Sequence, residues 1–215
     1  NLLEALQASA PDSRLLLMSS AEVYRTGGEE PIGENSPTVC QNPYALSKLA
    51  MEMLGDLYCR AFAMNVCKLR GFNFTGPGQD DKFVASDFAH QIARIERGER
   101  PPVISVGNLA AIRDFSDVRD MARYLQVIGG QCSGGEVFNL CSGRAYSIRQ
   151  ILDILLAQAR VPIRVEVDAN RFRPLDNPQI LGDCRSIRSR FGLRPEFPIE
   201  KTLPDRRDYW RVSPR

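Results

Sequence analysis

The chain has 215 residues and a net charge of +2, with 43% hydrophobic and 25% charged residues, which is the composition of a globular protein. So small a net charge does not favour a nucleic-acid-binding protein. There is no run of 18 apolar residues and no charged segment followed by an apolar leader, so neither a membrane span nor a signal peptide is predicted. Composition therefore predicts a soluble, cytoplasmic protein.

The residues that usually bind metals are few or scattered. The only histidine, His90, lies in no His-Glu-x-x-His pattern, and the six cysteines show no paired spacing. A chain of this length can build its core without disulfides. We therefore expect no metal site and reduced cysteines.

Strand and helix patterns alternate along the chain. The apolar run Leu15 to Met18 predicts a buried parallel strand that ends at Ser19 and Ser20. Asn42 and Pro43 predict the start of a helix that continues to about Ala63. Further strands are predicted at 66–72, 103–106, 136–140 and 164–167, and further helices at about 83–97, 118–128, 147–159, 185–192 and 199–211. This alternation favours an α/β fold with a parallel or mixed sheet.

The helix that begins at Asn42 carries an apolar stripe. Its members, at helical spacing, are Leu46, Leu49, Met53, Leu57 and Ala61. Such a stripe packs either against the core of the same chain or against a second copy of the chain. The sequence leaves both alternatives open.

Tyr44 and Lys48 form a Tyr-x-x-x-Lys pair on the same helix. Residues four apart share a helix face, so the Lys48 ammonium can stabilise a Tyr44 phenolate and still donate to a ribose hydroxyl. Ser20, at the end of a neighbouring strand, can hydrogen-bond the same substrate oxygen. Together these groups suit the interconversion of an alcohol and a ketone beside a hydride carrier.

The alternative is that Tyr44 and Lys48 are an ordinary surface pair. With six tyrosines and four lysines, some Tyr-x-x-x-Lys motif arises by chance with a probability of roughly 0.1. The preceding strand ends in Ser20 at its carboxyl end, where open α/β sheets bind their ligands. This context favours the catalytic interpretation.

Several segments resemble a known family. They are Ser19 to Tyr24, Asn42 to Lys48, Arg70 to Gln79, Gly107 to Leu109 with Arg113 to Asp120, and Arg173-Pro174 followed by Leu181 to Asp183. They are similar to the extended short-chain dehydrogenase/reductase family of sugar-nucleotide epimerases and dehydratases. The similarity is greatest to the GDP-mannose 4,6-dehydratases and the GDP-4-dehydro-6-deoxy-D-mannose reductases.

The resemblance implies the C-terminal part of a Rossmann-like parallel sheet with an interleaved small substrate-binding lobe. Residues 1–72 and 103–140 would be partly Rossmann-like, and residues 73–102 and 141–215 largely substrate lobe, within a single incomplete domain. No Gly-x-x-Gly-x-x-Gly occurs near Asn1, so about 100 residues that carry the pyrophosphate-binding turn are expected to be absent. The sequence predicts either a fragment of a longer protein or a chain that has lost activity.

The resemblance also implies roles for individual residues. Ser20, Glu22, Tyr44 and Lys48 are the expected catalytic residues, and Tyr44, Lys48 and Arg70 are expected to contact NADP or NAD. Asn73, Arg113 and Arg173 are expected to contact a GDP-sugar substrate. The alternatives are a local cap or pair for Glu22, a turn-forming role for Asn73, and surface ion pairs for the two arginines of the substrate set.

The resemblance implies two related reactions. Ser20 stands where the dehydratases usually have threonine, which favours the reductase, whereas Glu22 would serve the acid and base steps of a dehydratase. Arg25 replaces a glycine that the family pattern prefers. An inactive sugar-nucleotide-binding module and a homodimer formed through the long helices are further expectations.

Overall fold

The computed structural model describes residues 1–25, 27, 31–172 and 177–212. Contacts between Cα atoms divide the chain into two units. Unit 1 comprises Asn1–Phe72, Met121–Gly143 and Leu181–Arg194, and unit 2 comprises Asn73–Asp120, Arg144–Ile180 and Pro195–Arg215. Compared with the lobes expected from the resemblance, residues 103–120 lie in unit 2, and residues 141–143 and 181–194 lie in unit 1.

Helices and strands alternate along most of the described chain. The helices are α1 (Leu2–Ser9), α2 (Pro43–Phe62), α3 (Val84–Glu96), α4 (Val118–Gln131), α5 (Ile148–Leu156), α6 (Arg185–Phe191) and α7 (Ile199–Val212). The strands are β1 (Arg14–Ser20), β2 (Asn65–Gly71), β3 (Asn73–Thr75), β4 (Val103–Val106), β5 (Ile112–Asp117), β6 (Val137–Leu140), β7 (Ala145–Ser147), β8 (Arg164–Val167) and β9 (Gln179–Ile180). Short 3₁₀ helices lie at Ala21–Val23 and Ala169–Arg171.

Each helix and strand predicted from the sequence is present, with small shifts at its ends. The sequence did not predict α1, β3, β5, β7 or β9. Of these, β3, β7 and β9 have only two or three residues, too few to show an alternating pattern. The predicted α/β class is confirmed.

Unit 1 is built on a three-stranded parallel sheet in the order β1, β2, β6. Leu17 of β1 points toward α2, where a Cβ on Gly55 would lie 3.2 Å from the Leu17 side chain. Leu16 points the other way, toward Gly129 of α4. Because helices cover both faces of the sheet, β1 reads as a continuous apolar run rather than an alternating one.

Helix α2 is fixed at both ends by local chemistry. The Asn42 side chain caps its first turn and Pro43 occupies the first helical position, as the sequence predicted. Ala63 ends the helix in a left-handed conformation with φ of 54°. The Asn42 cap and Pro43 therefore begin α2 one residue before Tyr44.

The apolar stripe of α2 does not face the core of the described chain. Leu46 is 55% exposed, Met53 65% and Leu57 48%. The buried positions of the helix are instead Ala45, Glu52 and Gly55. Packing among the described residues therefore does not account for these three side chains.

Unit 2 has two small sheets beside a helical core. β5 pairs with β3 and β9 in parallel and with β7 in antiparallel, and β4 pairs with β8 in parallel. Helices α3, α5 and α7 contact one another and enclose the apolar core. Its largest buried members include Phe88, Ile92, Ile104, Phe115, Ile151, Leu152, Leu203 and Trp210.

A buried arginine fixes the turn that follows β3. Arg206 is fully buried, and its guanidinium donates to the carbonyl oxygens of Gly76 and Gln79. Burial lowers the pKa of Arg206 to about 10, since the charged form loses its hydration. The Gly76-Pro77-Gly78 turn is thus held from inside unit 2.

The described residues contain neither a membrane-spanning helix nor a cluster of metal-binding side chains. No helix within the described ranges combines the length and the apolar character that crossing a lipid bilayer requires. No three histidine, cysteine, aspartate or glutamate side chains in the same ranges are grouped so that they could hold a metal ion.

We predict that Gly182→Ala destabilises the chain. A Cβ at Gly182 would lie 2.6 Å from both Cβ and Sγ of the buried Cys141 and 3.0 Å from the Phe72 ring. Overpacking of this kind costs about 1–3 kcal/mol of unfolding free energy. Urea unfolding measures the loss.

Gly130→Ala is the matched control. Gly130 lies in α4, and its added Cβ would meet nothing within 4 Å. Alanine is a better helix former than glycine, and Gly130 is in the last turn of α4, so this variant should not unfold at lower urea. An equal response of the two variants would contradict the packing described for Gly182.

Candidate active site

Ser20 lies where β1 ends and the 3₁₀ helix Ala21–Val23 begins. Its hydroxyl oxygen accepts a hydrogen bond from the Glu22 N–H at 3.2 Å, so Ser20 caps that helix. A hydroxyl that accepts one bond keeps its O–H to donate. Ser20 can therefore direct a proton toward a ligand oxygen, while the neighbouring Ser19 is buried.

Tyr44 and Lys48 lie on one face of α2, as their spacing predicted. The Tyr44 side chain is 50% exposed, and the Lys48 Nζ lies 5.7 Å from the centre of its ring. The same Nζ donates to the Met18 carbonyl oxygen at 2.9 Å. This bond joins α2 to β1 two residues before Ser20, and an ammonium has two further hydrogens to donate.

Glu22 is exposed and pairs with the residue that caps α2. The Asn42 Nδ2 donates to Glu22 Oε2 at 3.0 Å, and Asn42 Oδ1 accepts from the Ala45 N–H at 2.8 Å. The sequence left open whether Glu22 acts in catalysis or pairs locally. The local pair is present, and the catalytic role stays a prediction.

Arg70 is buried at the end of β2. Its guanidinium donates to Glu52 from Nε at 3.0 Å and from Nη2 at 2.7 Å, and to the Glu34 carbonyl oxygen at 3.1 Å. Burial alone would lower the pKa of Arg70, but the hydrogen bonds with Glu52 and Tyr24 hold it above its usual value. The predicted contact of Arg70 with a cofactor stays a prediction beside this structural role.

A buried polar network that the sequence did not predict surrounds Arg70. The guanidinium lies 4.7 Å from the centre of the Tyr24 ring, and the Tyr24 hydroxyl donates to Asn139 Oδ1 at 2.6 Å. Asn139 donates from its backbone to Glu34 Oε1 and from Nδ2 to the Ile32 carbonyl oxygen. No single-sequence signal identifies these partners, because Tyr24 and Asn139 are 115 residues apart.

The predicted substrate residues that the structure describes belong to unit 2. Asn73 begins β3 and pairs in register with Phe115 of β5, and Arg113 lies two residues earlier on β5. Asn73 is exposed, whereas Arg113 is half-buried and donates to the carbonyl oxygens of Ile112 and Asn177 at 2.8 Å. Arg173 lies outside the described residues. The substrate contacts of all three stay predictions.

Comparison with known proteins assigns the family. The family model described as GDP-mannose 4,6 dehydratase matches residues 1–205. The chain belongs to this family. The resemblance noted from Ser19 to Tyr24 and from Asn42 to Lys48 is thereby confirmed.

Individual relatives agree with this assignment. The chain is 35% identical to the GDP-6-deoxy-D-mannose reductase of Pseudomonas aeruginosa, over 94% of this chain and 67% of that protein. It is 23% identical to the GDP-mannose 4,6-dehydratase of Vibrio cholerae, over 93% of this chain and 62% of that protein.

A solved structure supports the fold. RMD from Pseudomonas aeruginosa, complexed with NADPH, superposes with a TM-score of 0.92 at 32% identity, over 98% of this chain and 70% of that one. The Rossmann-like class expected from the resemblance is confirmed. The chain spans about two thirds of the length of the curated relatives it matches.

We predict that Tyr24→Phe makes the free energy of unfolding less dependent on pH in the alkaline range. Burial raises the pKa of Tyr24 to about 12, whereas the unfolded chain releases this proton near pH 10. The contribution of the protonated Tyr24 phenol to the free energy of unfolding is therefore complete below about pH 10. It is lost as the pH rises toward about 12, because the unfolded state then binds fewer protons than the folded state.

The measurement is the unfolding free energy in urea of the native chain and Tyr24→Phe. At about pH 8 the native chain should be more stable by about 1–2 kcal/mol, because the variant leaves Asn139 Oδ1 without its donor. The difference should shrink between about pH 10 and 12. A difference that stays constant with pH would show that the Tyr24 phenol titrates normally.

Proposed function

We propose that this chain carries the proton-transfer residues of an NAD(P)-dependent sugar-nucleotide reductase. The reaction is reduction of GDP-4-dehydro-6-deoxy-D-mannose to a GDP-6-deoxyhexose such as GDP-D-rhamnose. The observation that supports it most is the placement of Ser20, Tyr44 and Lys48 at the end of β1 and the start of α2, in a chain 35% identical to a GDP-6-deoxy-D-mannose reductase.

Three side chains would perform the proton chemistry. The Tyr44 phenol would donate its proton to the sugar carbonyl oxygen as that oxygen becomes a hydroxyl. Lys48 would stabilise the phenolate left on Tyr44, and the Ser20 hydroxyl would donate a hydrogen bond to the same sugar oxygen. A bound nicotinamide would supply the hydride to the carbonyl carbon.

The residues of α2 fit the ribose end of a nicotinamide cofactor. Lys48 has donors beyond the one given to Met18, and the Tyr44 side chain is half exposed. The NADPH in the related Pseudomonas structure favours NADPH over NADH. The chain contains no Gly-x-x-Gly-x-x-Gly motif for the pyrophosphate, so the fit concerns the reactive end of the cofactor only.

Asn73, Arg113 and Arg173 would contact the GDP-sugar. Guanidinium groups bind phosphate oxygens through paired hydrogen bonds, which makes the two arginines suitable for the diphosphate. Asn73 is exposed at the start of β3 and offers an amide donor and acceptor to the sugar.

The dehydratase is the second candidate, and Glu22 is the observation that favours it. Its exposed carboxylate lies two residues from Ser20, and elimination of water requires acid and base groups beyond those of hydride transfer. A third possibility is an inactive module that binds a sugar nucleotide without turnover.

We also propose that the protein forms a homodimer and is located in the cytoplasm. The exposed apolar residues Leu46, Met53, Leu54 and Leu57 of α2 support association with a second copy. Both expectations stay predictions.

Substrate feeding to the protein at its natural length separates the candidates. We predict that GDP-4-dehydro-6-deoxy-D-mannose with NADPH yields a GDP-6-deoxyhexose and oxidised cofactor, and that GDP-mannose alone yields no keto sugar. Chromatography of the nucleotide sugars and cofactor absorbance record both reactions. Keto sugar formed from GDP-mannose would identify a dehydratase, and binding without turnover would identify an inactive module.

Tyr44→Phe should lower kcat for the keto sugar by about 10²–10⁴-fold, the usual contribution of a positioned proton donor. Because the Tyr44 side chain is half exposed, the unfolding midpoint in urea should change little.

Tyr58→Phe is the control on the same helix. Tyr58 contacts Phe62 through its ring, which phenylalanine keeps. This variant should leave kcat unchanged. Retained activity in Tyr44→Phe would exclude Tyr44 as the proton donor.

A further inference from the structure

Asn42 uses both ends of its side-chain amide. Its Oδ1 accepts from the Ala45 N–H at 2.8 Å and so satisfies one of the backbone donors that a helix start leaves unpaired. Its Nδ2 donates to Glu22 Oε2 at 3.0 Å. One residue therefore both starts α2 and attaches that start to the loop after β1.

The attachment continues to Ser20. The Glu22 N–H donates to Ser20 Oγ at 3.2 Å, and the 3₁₀ helix Ala21–Val23 contacts α2. A chain of hydrogen bonds thus runs from Ser20 through Glu22 and Asn42 to the first turn of α2. Tyr44 is the second residue of that turn.

A second link fixes α2 one turn further along. Lys48 Nζ donates to the Met18 carbonyl oxygen, two residues before Ser20. The links through Asn42 and Lys48 lie on either side of Tyr44 in the sequence. Two attachments restrict both the position of the first turn of α2 along its axis and its rotation relative to the end of β1. A single attachment would leave the turn free to rotate about that point.

We infer that Glu22 is a positioning residue that acts through Asn42, and that its carboxylate does not itself exchange protons with the sugar. The inference rests on the proposed reductase function, in which Tyr44 supplies the only proton the carbonyl oxygen needs. Glu22 accepts a hydrogen bond that places Tyr44 beside Ser20. A displacement of about 1 Å between reacting groups can cost about 10²-fold in rate, so such a link affects catalysis without touching the substrate.

The two side chains allow a test by exchanging donor and acceptor. In Asn42→Asp the new side chain still caps α2, because aspartate is as good a cap as asparagine, but its second oxygen meets the Glu22 carboxylate. In the double variant Glu22→Gln with Asn42→Asp, the glutamine amide can donate to the aspartate and restore the hydrogen bond with its direction reversed.

Two measurements follow the exchange. In the protein at its natural length, Asn42→Asp should lower kcat/KM for the keto sugar by about tenfold, and addition of Glu22→Gln should recover most of the loss. In the present chain, the urea midpoint should fall in Asn42→Asp and return in the double variant. Glu22→Gln alone should lower kcat/KM and the urea midpoint less than Asn42→Asp does, because the glutamine side-chain oxygen still accepts a hydrogen bond from Asn42.

Asn170→Asp is the matched charge control. Asn170 is exposed and belongs to unit 2. When Asn170→Asp is combined with Glu22→Gln, the changes in kcat/KM and in the urea midpoint should add, and neither quantity should recover.

Each outcome decides the inference. A double variant as slow as Asn42→Asp, or slower, would show that the carboxylate itself is required and would overturn the positioning role. Urea midpoints that add without recovery would show that the link is absent, which also overturns it. No turnover of the keto sugar by the unsubstituted protein would contradict the proposed function, and the urea cycle would still decide whether the link exists.

Discussion

The buried ion pair between Arg70 and Glu52 is the interaction on which the rest of unit 1 depends. It joins β2 to α2, and the same guanidinium holds the Glu34 carbonyl oxygen and lies over the Tyr24 ring. A buried charge pair gains little net stability, but removal of one partner leaves the other charged and unpaired, at a cost of about 3–5 kcal/mol. The pair therefore attaches α2 to β2, and loss of either side chain would leave the other charge buried without its partner.

The candidate active site is attached to this framework by short connections. Ser20 is the last residue of β1 and Tyr44 the second of α2, so neither reactive hydroxyl lies on a long free loop. Lys48 has a structural bond to Met18 as well as its proposed chemical role. Sites held by strand ends and helix starts keep their geometry because backbone hydrogen bonds support them.

The loop that leads from β1 to α2 is organised from the far side of unit 1. Asn139 of β6 binds Tyr24, the Glu34 carboxylate and the Ile32 carbonyl oxygen. Ser186 of α6 donates to the other Glu34 oxygen at 2.8 Å. Residues of β6 and α6, which are far from Tyr44 in sequence, therefore hold the segment around Ile32 and Glu34 that precedes α2. Substitutions there would affect both the stability of unit 1 and the position of Tyr44.

The sequence by itself determined the α/β class, the position of α2 and the Tyr44 and Lys48 pair, because caps and helical spacing are set by neighbouring residues. It also indicated the family through local segments. Only the tertiary structure decided that Arg70 is buried against Glu52 and that Asn42 binds Glu22. These partners are brought together by the path of the chain, which residue spacing does not encode. Exposure of the apolar stripe of α2 was likewise decided by the face that the sheet covers, since the spacing of a stripe is the same on either face.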